Sequence, residues 1–180
     1  MLLASVLLDR PLAAATQGDS GATSSGSVDI TLTANLTARI SGLTDFLLGT
    51  WGGAGDLAGN QNICIGRNGV GFFGTGTYRI RADGNGDGAD VNAFTLSNGV
   101  DLVYYNVFFN DQANTTGRQQ LTGGQTLLGQ TASGFSVTLN WLFGCVTRNA
   151  NVSVVVPEAN LAAAPSGNYA GTLTLVLIPD

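Results

Sequence analysis

The sequence predicts an all-β protein, an antiparallel β-sandwich of immunoglobulin-like topology, and three observations carry that expectation. No stretch keeps a 3.6-residue apolar period for long. About eight short segments rich in Val, Ile, Thr, Tyr and Phe recur at close spacing between turn signals. The chain also holds 26 Gly in 180 residues, with many Thr, Ser and Asn, which suits short strands joined by tight turns. A small closed β-barrel fits the same pattern and is the alternative.

Composition narrows the class further. Hydrophobic residues make up 44% of the chain, enough to bury a core and too many for a disordered protein. Charged residues are only 11%, few for a soluble enzyme. All seven basic residues are Arg and the net charge is −5. No basic stripe exists to displace counterions from phosphates, so a nucleic-acid partner is excluded.

Residues 1–15 open with the apolar run MLLASVLL and end in Ala13-Ala14-Ala15, a small-residue cleavage pattern. They are read as the remnant of a signal peptide, although no positive n-region precedes the run. The run is too short for a membrane span, which needs about 20 residues. Residues 16–27 (TQGDSGATSSGS) are small and polar, a flexible leader. In residues 26–36 (GSVDITLTANL), Val28, Ile30, Leu32, Ala34 and Leu36 alternate with Asp29, Thr31, Thr33 and Asn35. This period of two predicts a strand with one apolar face. Two readings follow for it: the first strand of its own domain, paired in cis, or a strand that lies in the groove of a neighbouring copy.

Residues 37–50 continue extended, with Ile40, Leu43, Phe46 and Leu48 available to a core and a bend at Gly42. Residues 51–60 are loop, and residues 61–65 a short strand with Cys64. Residues 77–82 (TYRIRA) place Tyr78, Ile80 and Ala82 on one face and Arg79 and Arg81 on the other. Residues 83–90 form a turn and residues 93–96 a short strand. Residues 100–109 (VDLVYYNVFF) are apolar on both faces and predict one central strand. Residues 121–129 hold the pair Leu127-Leu128 without a regular pattern. Residues 135–143 (FSVTLNWLF) alternate and predict a strand leading to Cys145. Residues 151–156 predict a strand stopped by Pro157, residues 158–164 a single helical turn, and residues 169–178 a closing strand with Leu173, Leu175 and Leu177 on one face.

Cys64 and Cys145 are the only cysteines and lie 81 positions apart. They fit either one disulfide in an exported protein or two buried thiols. A bridge closing that loop contributes about 4–5 kcal/mol in the chain-entropy model. Chemistry is poorly provided for. The chain has no His, so neither a Ser-His-Asp nor a Cys-His arrangement is available. The protein is read as a non-enzyme without a cofactor. Asp83, Asn85, Asp87 and Asp90 spell D-x-N-x-D-G-x-D, an echo of a calcium loop, but position twelve is Phe94 and no helices flank it. A polar hairpin turn accounts for the same residues. Trp51 and Trp141 are candidates for a sugar-stacking platform or for plain packing.

Three stretches resemble bacterial chaperone–usher pilins. GSVDITLTANL resembles the N-terminal donor strand of those subunits, and the following TARISGLTDFLLG resembles their first body strand. VDLVYYNVFFND is similar to a strand of the spore-coat-protein-U-like pilins. AAAPSGNYAGTLTLVLIPD resembles the terminal pattern of these and of the colonisation-factor-type fimbrial major subunits. Archaic members place a Cys in the first body strand, where residues 38–41 here have none.

The resemblance implies an immunoglobulin-like body, residues 37–180, that lacks one strand and is completed by donor-strand exchange. Residues 16–36 would be the leader and donor strand. Val28, Ile30, Leu32, Ala34 and Leu36 would fill a neighbour's groove, and Tyr169, Leu173, Leu175 and Leu177 would belong to the acceptor side. Burying such a set is worth on the order of 8–10 kcal/mol before ordering costs. The implied partners are identical subunits in a homopolymer, a periplasmic chaperone and an outer-membrane usher. The implied place is a secreted, cell-surface filament serving adhesion or biofilm. A monomeric secreted sandwich that binds carbohydrate or calcium is the alternative function.

Overall fold

The computed structural model describes residues 20–25 and 30–180. The chain divides between Asn35 and Leu36 into two units, and every sheet lies in the second. Its strands are β1 (Ala38–Ser41), β2 (Leu57–Arg67), β3 (Thr75–Asp83), β4 (Thr95–Ser97), β5 (Leu102–Tyr104), β6 (Asn106–Asn110), β7 (Gln119–Leu121), β8 (Thr126–Ser133), β9 (Ala150–Val156) and β10 (Thr174–Pro179). Two helices interrupt them, α1 (Gly134–Phe143) and α2 (Glu158–Ala163).

The strands form a five-stranded sheet in the order β1-β2-β9-β6-β7, a three-stranded sheet β10-β3-β8 and a hairpin β4-β5, all antiparallel. The molecule is an all-β sandwich, and the two larger sheets do not join into a closed barrel.

Alternation explains the core. Tyr78, Ile80 and Ala82 of β3 are fully buried, as the period of two in residues 77–82 predicts. They meet Ile63 and Ile65 of β2, Val107 and Phe109 of β6, and Val152, Val154 and Val156 of β9. Tyr78 and Phe109 stand edge to face, with ring centroids 6.3 Å apart, the geometry aromatic quadrupoles favour. Strand β9 is buried on both faces. Its outward Asn151 and Ser153 satisfy each other and β2: Asn151 Nδ2 donates to Asn62 Oδ1 at 2.8 Å, and Ser153 Oγ donates to Asn151 Oδ1 at 2.8 Å.

Three expectations are corrected, the first at residues 57–60, which are not loop but the opening of β2, paired with Ser153–Val156 of β9. Residues 135–143 are not a strand but most of α1. The buried residues there are Gly134, Ser136, Val137 and Asn140, a helical spacing, while Phe135, Leu142 and Phe143 face outward. The helix lies against β2 at Gly66, where an added Cβ would come within 2.5 Å of the Trp141 nitrogen. That close approach outweighs the local β-preference of the segment.

Residues 100–109 are two strands rather than one. The chain leaves β5 at Tyr105, whose N–H donates to Phe94 O at 3.0 Å. It then enters the five-stranded sheet as β6, between β9 and β7. Only β6 is central. Strand β8 carries no legible alternation because a bulge breaks it. Tyr78 pairs with Gln130 and Ile80 with Leu127, leaving one intervening residue on β3 against two on β8. Gly129 supplies the positive φ, 70°, that the extra residue requires.

The disulfide Cys64–Cys145 is formed, with Cα atoms 5.2 Å apart. It joins β2 to the loop after α1, and Asn140 places that loop. Asn140 is fully buried. Its amide donates to Ile65 O (3.1 Å) and Thr147 O (2.7 Å), and its Oδ1 accepts from the N–H groups of Val146 (3.0 Å) and Thr147 (2.9 Å). Truncation removes the partner of four backbone groups at once, Ile65 O buried and the others partly buried. Asn140→Ala is therefore expected to cost about 2–4 kcal/mol. Asn140→Asp, which turns a carboxylate toward two carbonyls, is expected to cost more at neutral pH than at pH 4. Urea unfolding of the oxidised protein at both pH values checks each expectation.

Candidate assembly edge

The candidate site is built around β10. The strand pairs with β3 in antiparallel register, Leu175 opposite Ala82 and Leu177 opposite Ile80. This puts Leu175 and Leu177 onto the core, and Leu173 and Tyr169 pack there too. None of the four is fully buried; each stays partly exposed. Among the described residues β3 is the sole hydrogen-bonded neighbour of β10, so one side of β10 is a sheet edge. Beside it runs β1, the edge of the other sheet, bonded in turn only to β2. Ile40 of β1 is likewise half-buried on the core. The seam between the two sheets is thus flanked by two edge strands that carry apolar side chains.

The chain after β1 is fixed by specific contacts. Gly42 turns it with φ 77°, and a Cβ there would come within 2.7 Å of Cys145 Sγ. Gln61 then holds Thr44 at three atoms: its Oε1 accepts from Thr44 N (2.7 Å) and Oγ1 (2.9 Å), and its Nε2 donates to Thr44 O (2.9 Å). Phe46 and Leu48 follow and cover Gly59.

Of the alternating segment ahead of β1, Val28 lies outside the described residues. Residues 30–37 are in no helix or strand. Ile30 and Leu32 are 87% and 89% exposed, and Ala34 is exposed. Leu36 is half-exposed and belongs with the sandwich unit, where it lies over Gly69.

The D-x-N-x-D-G-x-D pattern is folded as a turn in which each of the four side chains accepts from a donor of the chain itself, while Asp83 Oδ1 is buried without a hydrogen-bond partner. Asp87 Oδ1 accepts from Ala89 N and Asp90 N, and its Oδ2 accepts from the Tyr104 hydroxyl at 2.9 Å. Asp90 Oδ1 accepts from Asn92 N, Asn85 Oδ1 from Thr172 N, and Asp83 Oδ2 from the Arg81 guanidinium. The Asn85 bond ties this turn to the approach to β10. Trp51 Nε1 donates to Gly55 O and Trp141 Nε1 to Thr37 Oγ1, so each indole has its own local partner. Asn140 is the structural residue that sequence reasoning missed. It stands with Ser136 and Thr138 as one of three polar residues in an alternating segment, and nothing local sets it apart.

No protein-family model matches the chain, and no curated protein matches it. Among solved structures, a chain from the chaperone–tip adhesin complex described as vital for synergistic activation of CFA/I fimbriae biogenesis is similar. The TM-score is 0.54 at 16% identity, over 81% of this chain and 42% of that one. This chain therefore spans less than half of that structure's length. The likeness is one of fold, a β-sandwich.

The turn gives a pH prediction. Two backbone N–H groups, Asp90's foremost, and the Tyr104 hydroxyl hold the Asp87 carboxyl below its ordinary value. A depressed folded value means that the stabilisation is complete above the ordinary carboxylate pKa, about 4. It is lost as pH falls through the folded value. Asp87→Asn is expected to flatten the fall in melting temperature between pH 5 and pH 2, as thermal melts at stepped pH would record.

Proposed function

We propose that the protein is a non-enzymatic structural subunit of a secreted fimbria-like surface filament. It polymerises head to tail as the alternating segment of one copy enters the seam beside β10 of the next. The observation that carries the reading is the pairing of two incomplete halves in one chain: a period-two segment with Ile30 and Leu32 almost fully exposed, and an apolar edge strand with one hydrogen-bonded neighbour. The fold likeness to the fimbrial chaperone–adhesin complex supports the same reading.

Physically this is β-strand addition. The entering backbone completes the ladder of β10, and Val28, Ile30, Leu32 and Ala34 supply alternate side chains to the seam. Each Val, Ile or Leu so buried adds about 1.5–3 kcal/mol. The contact joins two different surfaces and does not close on itself, so it propagates as a filament. An apolar open edge is an aggregation hazard before assembly. A periplasmic chaperone that lends a strand, and an outer-membrane usher that oversees its replacement, fit that need. Adhesion or biofilm formation would follow from the repeated array.

Ile30→Asp and Leu32→Asp in the full chain test the reading. Each puts a carboxylate where the seam offers apolar surface, which costs the lost burial plus desolvation. Filaments seen by electron microscopy are expected to disappear. The melting temperature of the dilute monomer is expected to stay put, because both residues are exposed. Persistent filaments, or an unfolded monomer, would sink the proposal. The second outcome would mean that the segment is paired in cis.

A further inference from the structure

The loop between β2 and β3 ends in a rigid, uncharged aromatic tip. Residues 68–76 read NGVGFFGTG, without a charged side chain. Phe73 is fully exposed and Phe72 is 44% exposed. Phe72 leans edge to face on Phe135 in the first turn of α1, with centroids 5.4 Å apart. The tip is held on both sides. Gly74 N donates to Gly71 O at 2.9 Å, Gly134 N donates to Gly74 O at 2.8 Å, and a Cβ on Gly134 would fall 2.1 Å from Gly71 O. A braced loop that displays a fully exposed Phe adds no core burial to the isolated chain. Aromatic anchors of this kind are enriched in protein interfaces.

The position of the tip names its partner. Thr37, which follows the alternating segment, is anchored to the sandwich at three atoms. Its O accepts from Asn68 N (3.1 Å), its N donates to Asn68 Oδ1 (2.7 Å), and its Oγ1 accepts from Trp141 Nε1 (2.9 Å). Leu36 lies over Gly69, in the same loop as the tip. Each residue of chain spans at most about 3.5 Å. A segment inserted into a second copy up to Ala34 therefore leaves almost no tether, and that copy must arrive at the end of the sandwich where Thr37, Asn68 and the loop sit. We infer that Phe73, braced by Phe72 and Phe135, seats against the body of the next copy in the filament, so that successive subunits are locked as well as threaded.

This rests on the strand-insertion reading, and the test separates the two. Full-length protein is oxidised by hydroxyl radicals as dilute monomer and as filament, and Phe73 modification is read by mass spectrometry. In parallel, Phe73→Ser filaments are titrated with urea beside wild type. Modification of Phe73 is expected to fall several-fold in the filament. Phe73→Ser is expected to leave the monomer melt unchanged and to yield filaments that disassemble at lower urea. Filaments in which Phe73 stays as reactive as in the monomer, with unaltered urea resistance of the variant, overturn this inference alone. A wild-type chain that never forms filaments overturns the insertion reading and this inference together.

Discussion

A strand bonded on one side leaves alternate N–H and C=O groups pointing away from its sheet, and β10 carries that constraint for this molecule. A polar, exposed edge strand can leave such groups to water. Strand β10 is different, because Leu175 and Leu177 pack on the core while every residue from Leu175 to Pro179 stays partly exposed. The edge is therefore apolar enough to sit in the sandwich and incomplete enough to accept a partner. Strand β1 stands in the same condition across the seam. The two edges share this deficit, and the exposed Ile30 and Leu32 are of the kind that would fill it.

The opposite need, a body rigid enough to keep the seam in shape, is met at the corner of α1. Gly66 lets the helix approach β2, Asn140 fastens the following loop, and the disulfide fixes that loop to β2 at Cys64. Gly42, packed on Cys145, links the corner to the chain leaving β1. One edge of the seam is thus braced by covalent and hydrogen-bonded structure. The helix buries Val137 with Gly134, Ser136 and Asn140, and turns Phe135, Leu142 and Phe143 outward.

Much of this was legible in the sequence where one physical signal dominated. Tyr78, Ile80 and Ala82 alternate and are buried, and the strand before Pro157 stops where ring geometry requires it. The fold class followed from such segments. Legibility failed where two signals competed or where a distant contact decided. FSVTLNWLF alternates, yet its spacing also serves a helix, and the deciding contact is with Gly66, far back in the chain. VDLVYYNVFF is continuous in hydrophobicity but changes sheets at Tyr105, a tertiary event without a local mark. Around Gly129 one added residue erased the period of β8. At the assembly edge, the apolar residues of β10 could be named from sequence; that the strand has a single bonded neighbour is a property of the sheet order.

Amide hydrogen exchange of the full chain, as dilute monomer and as filament, addresses strand insertion most directly. Protection is expected to rise in the filament over residues 174–178 and 30–34 together, with the remaining strands unchanged. Equal protection of both stretches in the dilute monomer, or a filament in which residues 30–34 still exchange freely, would contradict the account.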